Sequence, residues 1–243
     1  MSASTKSSDA FNAASDSTDQ TTEVSTLAEW LPPLLSVIAG MVDLIGFFTL
    51  GNIFTAHITG NLVLVSAAVV RGGPLNLGQA LAIPVFVVAV AITWLVAHTS
   101  NKRGPALARL LLGLQFILLA AVLVFSIVTK PSAEPHGPMA GIAAMLAVFA
   151  MACQYALLRL ALPKVVSTAV MTGNLTNATL ALMEVLSKGS SLTAIDSARL
   201  KASLRLLIGF LLGCLISAAA LAFVADWAWA LPVALAGLAI AVR

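Results

Sequence analysis

From Leu31 onward the chain is a series of long apolar stretches with short polar breaks, at about 32–50, 55–71, 78–99, 105–129, 138–160, 165–187, 202–224 and 227–242. A helix needs about 20 residues to cross the hydrocarbon core of a bilayer. The third, fourth, fifth and seventh stretches meet that length, whereas the first, second and last are short. Only Gly51 to Phe54 separates the first stretch from the second. The pattern predicts an all-α, polytopic transmembrane helical bundle of about 6–8 spans. Eight full spans, or six or seven with re-entrant halves, both fit it. Pro32, Pro33, Pro74, Pro105, Pro131, Pro138, Pro163 and Pro232 fall at or near span ends. Pro84 lies inside the third span and predicts a kink there. Trp30, Trp227 and Trp229 flank spans, where amphipathic rings favour the lipid–water boundary.

Residues 1–30 are a different kind of polymer. Twelve of the thirty are Ser or Thr, and large apolar side chains are almost absent. Such a segment buries too little area to offset its chain entropy, so disorder is predicted. It has no basic start, apolar core and small-residue cleavage site, so it does not read as a cleavable signal peptide. The domain organisation expected is a tail, 1–30, and one transmembrane domain, 31–243.

Composition supports lipid as the solvent. The chain is 60% hydrophobic and 9% charged, with a mean hydropathy of +1.01, against about a quarter charged in soluble domains. The net charge of +3 comes from basic residues scattered singly, without a basic, aromatic-interleaved cluster, so nucleic-acid binding is disfavoured. On an eight-span count, Lys6, Arg71, Lys130, Lys188, Arg199, Lys201, Arg205 and Arg243 fall on one side. Lys102, Arg103, Arg109, Arg159 and Lys164 fall on the other. That excess favours both termini in the cytoplasm. Cys153 and Cys214 lie in apolar runs with no CxxC spacing, which supports neither a disulfide framework nor a thiolate metal site.

A short motif occurs twice, Thr59-Gly60-Asn61-Leu62 and Thr172-Gly173-Asn174-Leu175. At an offset of 113 residues, Thr55 and Ala56 also meet identical partners, Thr168 and Ala169. The reading is an internal duplication, with repeat 1 at about 32–129 and repeat 2 at about 138–242. Each repeat carries a Gly-containing polar break in a hydrophobic stretch, and paired breaks are the best sequence pointer to a transport site. Four spans per unit would make the copies parallel, and three would make them inverted.

Gly60 and Gly173 are the helix-break candidates, because glycine permits unusual backbone angles and close helix approach. Thr59, Asn61, Thr172, Asn174 and Asn177 supply donors and acceptors for a substrate at such a break. The competing role is helix packing, in which small residues allow contact and polar side chains bond across. Asp43 lies mid-span, where an ionisable group costs roughly 2.5–3.5 kcal/mol on insertion scales. It is either a cation or proton site or a buried carboxylate pinning a broken helix. His57 precedes the first motif. If the chain hairpins at Gly51-Asn52, His57 reaches the depth of Asp43, and a carboxylate–imidazole pair can relay protons. Otherwise it is a satisfied structural histidine. Gln154, beside Tyr155 in the fifth span, is the neutral polar counterpart in the second unit, and Gln115 is a lesser candidate. Gly209, Gly213 and Ser217 make a small-residue stripe suited to helix packing.

Other chemistry finds no support. HExxH, GxxxxGK[ST] and GxSxG are absent, and His57, His98 and His136 are too dispersed for a metal cluster. No cofactor and no enzymatic activity are expected. With Asp43, Gly46, Phe47 and Phe48, the string from Phe54 to Val63 and the later Thr168 to Asn174, the chain resembles the YoaK-like family of bacterial inner-membrane proteins. That family is catalogued as a domain of unknown function (number 1275). The resemblance covers about residues 30–242 and implies a permease-like polytopic protein of the bacterial inner membrane with roughly six spans. It brings no substrate or catalytic residue. The family pattern has a Gln-Asn pair in the fifth span where Gln154-Tyr155 stand, so a role for that Asn does not carry over.

The function expected is that of a small-molecule permease or secondary transporter of unidentified substrate. Its site would lie between the repeats, with Asp43 and His57 coupling transport to protons. The alternative is a non-transporting scaffold, assembly factor or sensor in the membrane. The lipid bilayer is the expected partner, and the sequence leaves the oligomeric state open.

Overall fold

A computed structural model describes residues 3–163, 165–168, 170–187 and 194–241, with the side chains of 3–25, 185, 194–196 and 199 left undescribed. Among the described residues there are helices and no strand. The helices are α1 (Ala3–Thr49), α2 (Gly60–Arg71), α3 (Leu77–Thr99), α4 (Gly104–Thr129), α5 (Pro138–Ala161), α6 (Met171–Ser187), α7 (Ala194–Val224) and α8 (Ala230–Ala241). Among the described residues, five segments are long and apolar enough to cross a membrane: Thr26–Thr49, Leu77–Thr99, Gly104–Thr129, Pro138–Ala161 and Leu200–Ala241. The last is 42 residues long, and Ala225, at φ 45°, breaks it at the 3-10 turn Ala225–Trp229.

Helical backbone in α1 begins at Ala3, and residues 1–31 contain no Gly or Pro to interrupt it. The helix also runs through Pro32 and Pro33, and α3 runs through Pro84. Trp229 is a departure: it is fully buried, in the core rather than in an interfacial belt.

The centre of the bundle is α1 and α5. Of their apolar windows 67% and 72% are buried, against 17–33% for the other spanning segments. The sequence explains α5: Ala140, Ala143, Ala144, Ala147, Ala150 and Ala152 are buried, and small side chains let neighbouring backbones close in. The outer helices present large apolar side chains such as Val88, Trp94, Ile117 and Leu211 to the surroundings, as a lipid-facing surface must.

Contacts fix which ends lie together. The Asn76 side chain donates to the Gly51 carbonyl (2.7 Å) and that of Gln79 to the Asn52 carbonyl (3.1 Å). Ser132 donates to the Asp226 carboxylate, through Oγ (2.5 Å) and its backbone N–H (3.3 Å). One end therefore gathers the end of α1, the start of α3, the α4–α5 connection and the α7–α8 turn. The segment 50–71 leaves α1 and rejoins α3 at that same end. Beyond the turn, α8 returns along α4, with Gly237 against Phe116.

α7 lies parallel to α1. Gly209 sits against Pro33, Gly213 against Val37 and Gly40 against Phe210, so residue numbers rise together on both helices. Ser36 also donates to the Leu206 carbonyl (2.6 Å). α5 ends and α7 begins at the opposite end, so the segment containing α6 also leaves and returns on one side. The Gly209–Gly213 stripe has the packing role its spacing suggested.

A Cβ at Gly213 would lie 2.2 Å from the Val37 carbonyl oxygen, and one at Gly40 2.2 Å from that of Phe210. Backbone cannot yield as a side-chain end can. Overpacking costs about 1–3 kcal/mol, so Gly213→Ala is expected to lose about 3 kcal/mol or fail to accumulate. Gly113→Ala, with nothing within 4 Å, should hold its unfolding temperature in detergent.

Candidate functional site

The chain leaves α1 through two left-handed residues, Gly51 at φ 81° and Asn52 at φ 58°, and doubles back along the helix it has left. Six residues before the end of α1, Asp43 meets the returning loop. Its Oδ1 accepts the backbone N–H groups of Thr55 (2.8 Å) and Ala56 (2.7 Å), with that of His57 at 3.4 Å. Successive backbone N–H groups converging this way form an anion-binding nest, and here the anion is supplied by the protein. The other oxygen, Oδ2, faces His57 Nδ1 at 2.5 Å.

The magnitudes explain why a carboxylate is retained at this depth. Its insertion costs roughly 2.5–3.5 kcal/mol, and each hydrogen bond to a charged group returns about 1.5–3 kcal/mol. Two short bonds and an imidazole therefore offset the cost. The loop gains too, because unsatisfied N–H groups in hydrocarbon cost several kcal/mol each.

Three further contacts hold the loop. Asn61, fully buried, accepts from the Phe54 N–H (2.9 Å) and donates to its carbonyl (2.7 Å). Tyr155 on α5 donates to the Ala56 carbonyl (3.0 Å). The His57 ring stands edge-on to Phe210 of α7, 5.0 Å between centroids. Asp43, His57, Tyr155 and Phe210 thus bring three helices and the loop to one point. Asp43 is buried and the His57 side chain is 29% exposed, so the pair is reachable from the imidazole side.

The second motif is built alike. The Asn174 side chain donates to the Ser167 carbonyl (3.0 Å), seven residues back, as Asn61 does to Phe54. The position 113 after Asp43 is Ala156, so the second copy has no counterpart of the Asp43 carboxylate at that position. The buried Thr168 hydroxyl has no hydrogen-bond partner among the described residues.

Among the described residues no hydrogen bond joins the two Thr-Gly-Asn strings. Asn61 and Asn174 spend their polar groups on their own loops, and Thr59, Thr172 and Asn177 are exposed on the outer surface. A Cβ at Gly60 would lie 2.8 Å from the Phe54 ring, and one at Gly173 2.8 Å from Val170 Cγ1. Both glycines therefore serve close approach within their own loops. Gln154 is fully buried away from the motifs. It donates to the Leu35 carbonyl (2.9 Å) and accepts from Gln115 (2.7 Å), clamping α1, α4 and α5 together. Phe210, Asn76 and Gln79 are the site residues that sequence reasoning passed over. Tyr155 was singled out with Gln154 at mid-span, and of the two it is Tyr155 that reaches the Asp43 loop.

Apolar crossing helices with a charged pair at a helix break define a multi-pass membrane protein. The sequence profile of the family described as "Protein of unknown function (DUF1275)" matches residues 31–242, and the chain belongs to that family. It is similar to "UPF0700 transmembrane protein YoaK" of Bacillus subtilis (strain 168), 35% identical over 88 residues, which is 35% of this chain and 39% of the relative. The match thus spans well under half of that relative's length. No solved structure matches.

Asn61 bonds both peptide groups of Phe54, and leaving a buried group unsatisfied costs about 1–3 kcal/mol. Asn61→Ala should therefore lose about 3 kcal/mol, read by thermal unfolding in detergent. An unchanged unfolding temperature would contradict this loop geometry.

Proposed function

We propose that the protein is a small-molecule permease or secondary transporter of the bacterial cell membrane, built from two inverted halves and coupled to protons at Asp43–His57. The single observation that carries this is the ionisable pair buried where a membrane helix breaks and re-enters. An intramembrane ionisable residue marks an ion or substrate path by default, and discontinuous helices in paired halves are where transporters bind.

Several observations support the inverted arrangement. α1 packs on α7 as α5 packs on α3, and α4 on α5 as α8 on α1, which is the exchange expected if α1–α4 and α5–α8 are two copies. Both asparagines bond seven residues back, 113 residues apart. The first re-entrant segment leaves and returns at one end, the second at the other. Each half then has three crossings, six in all, plus one re-entrant helix, α2 or α6. An odd number of crossings inverts the copies.

The same arrangement supports an orientation. Lys102, Arg103, Arg109, Arg159, Lys201 and Arg205 lie at or toward one end, Arg71 and Lys130 at the other. The basic end faces the cytoplasm, with both termini on that side. The first loop then opens outward and the second inward.

A second reading, a non-transporting scaffold, assembly factor or sensor, is favoured by one observation. Asn61 and Asn174 are engaged by their own loops, so neither is presented to a ligand.

Two experiments test these readings. In a cysteine-free background, Asn52→Cys and Gly73→Cys should both label from outside in intact cells. Lys102→Cys should label only after permeabilisation. Opposite sides for 52 and 73 would make α2 a full crossing and remove the inverted arrangement. In liposomes enclosing a pH-sensitive dye, a metabolite panel should reveal a substrate whose uptake moves protons. Asp43→Asn keeps an acceptor for the Thr55 and Ala56 N–H groups, so it should abolish that movement while unfolding near the wild-type temperature. Proton flux unchanged in Asp43→Asn, or no flux with any substrate, would favour the scaffold.

A further inference from the structure

A cavity of about 970 Å3 opens at the outward end, between α2, the last turn of α1 and the first turns of α3 and α5. Asp43 and His57 do not line it. Its walls are apolar, with Phe47, Ile53, Leu64, Leu81, Ile142 and Met145 among them, and no Asp or Glu contributes. Of the polar side chains in the wall, that of Asn76 is engaged with Gly51 and Gly78 and that of Gln79 with the Asn52 carbonyl, while the neutral Asn52 side chain is exposed. The ionisable side chains of the lining are Arg71 and His136, both exposed.

Arg71 ends α2, and a helix C-terminus accounts for a cation there. It does not account for that cation standing, with no ion pair among the described residues, over an apolar space that holds no carboxylate. The size is near the upper limit for small-molecule sites, about 300–1,000 Å3. Lining residues on α5 run from Pro138 to Met145, a depth of roughly 10 Å at 1.5 Å per residue. Arg71 and His136 belong to connections at the end of the bundle, where head groups lie.

We propose that this cavity binds an anionic amphiphile, with a carboxylate or phosphate head at Arg71 and His136 and a hydrocarbon tail between α2 and α5. Arg71 is the anchor, because its planar fork matches both kinds of head. The inference stands apart from the transport reading, since it uses none of that site's residues.

The test is a fluorescence titration of the full chain, purified in detergent, with dansyl-undecanoate, followed by competition. Dodecanoate and dodecyl phosphate should displace the probe, and dodecanol should do so at least about tenfold less well. Arg71→Gln, at an exposed position, should weaken probe binding about tenfold without altering the unfolding temperature. Ala68→Trp, which projects into the cavity, should abolish it. Native mass spectrometry after mild extraction separates the two sources of such a head. A phospholipid retained by wild type and lost in Arg71→Gln assigns a lipid, and displacement by dodecanoate without retained phospholipid assigns a free acid. Equal competition by dodecanol, or unchanged binding in Arg71→Gln, overturns the proposal.

Discussion

The Asp43 carboxylate, received by the backbone N–H groups of 55–57, is the interaction on which the first half depends. A chain that leaves a membrane helix and turns back exposes peptide groups that hydrocarbon cannot satisfy. One buried carboxylate solves this for the sharpest part of the return, and Asn61 solves it for Phe54. The charge and the loop need each other. Removing the whole Asp43 side chain would leave the loop's N–H groups buried without an acceptor.

That mutual need also explains why His57 is where it is. The carboxylate has two oxygens, and the backbone occupies one. The second would be left charged and unmatched in the apolar interior, so an imidazole from the same loop takes it. Phe210 covers the ring from α7, whose glycines allow it to lie directly on α1. Close helix approach and the charged pair are therefore parts of one construction.

The second loop shows what the motif does without an acid. Asn174 repeats the backward bond, but Ala156 stands where a carboxylate would. The conserved string within this chain thus belongs to loop closure, and the chemistry belongs to what lies beneath it. Sequence reasoning gave the asparagines a ligand, because a polar side chain near a break reads alike whether it faces a cavity or its own backbone. Asp43 and His57 were readable as a pair, because a tight return at Gly51-Asn52 places them at similar depth. The contacts of Tyr155 and Phe210 with this loop were not, because nothing in a linear pattern says which helix faces which.

Hydropathy by itself determined that this chain is helical and resides in lipid, because peptide groups in hydrocarbon must bond within their own segment and charge is too scarce for a water-facing surface. The tertiary structure decided the rest: that 50–71 turns back to its own side, that α1 and α5 occupy the centre, and that each asparagine closes its own loop. Those outcomes depend on close approaches between residues as far apart as Val37 and Gly213. Apolar stretches of equal hydrophobicity do not encode their neighbours, whereas backbone contact at glycine and one satisfied carboxylate do.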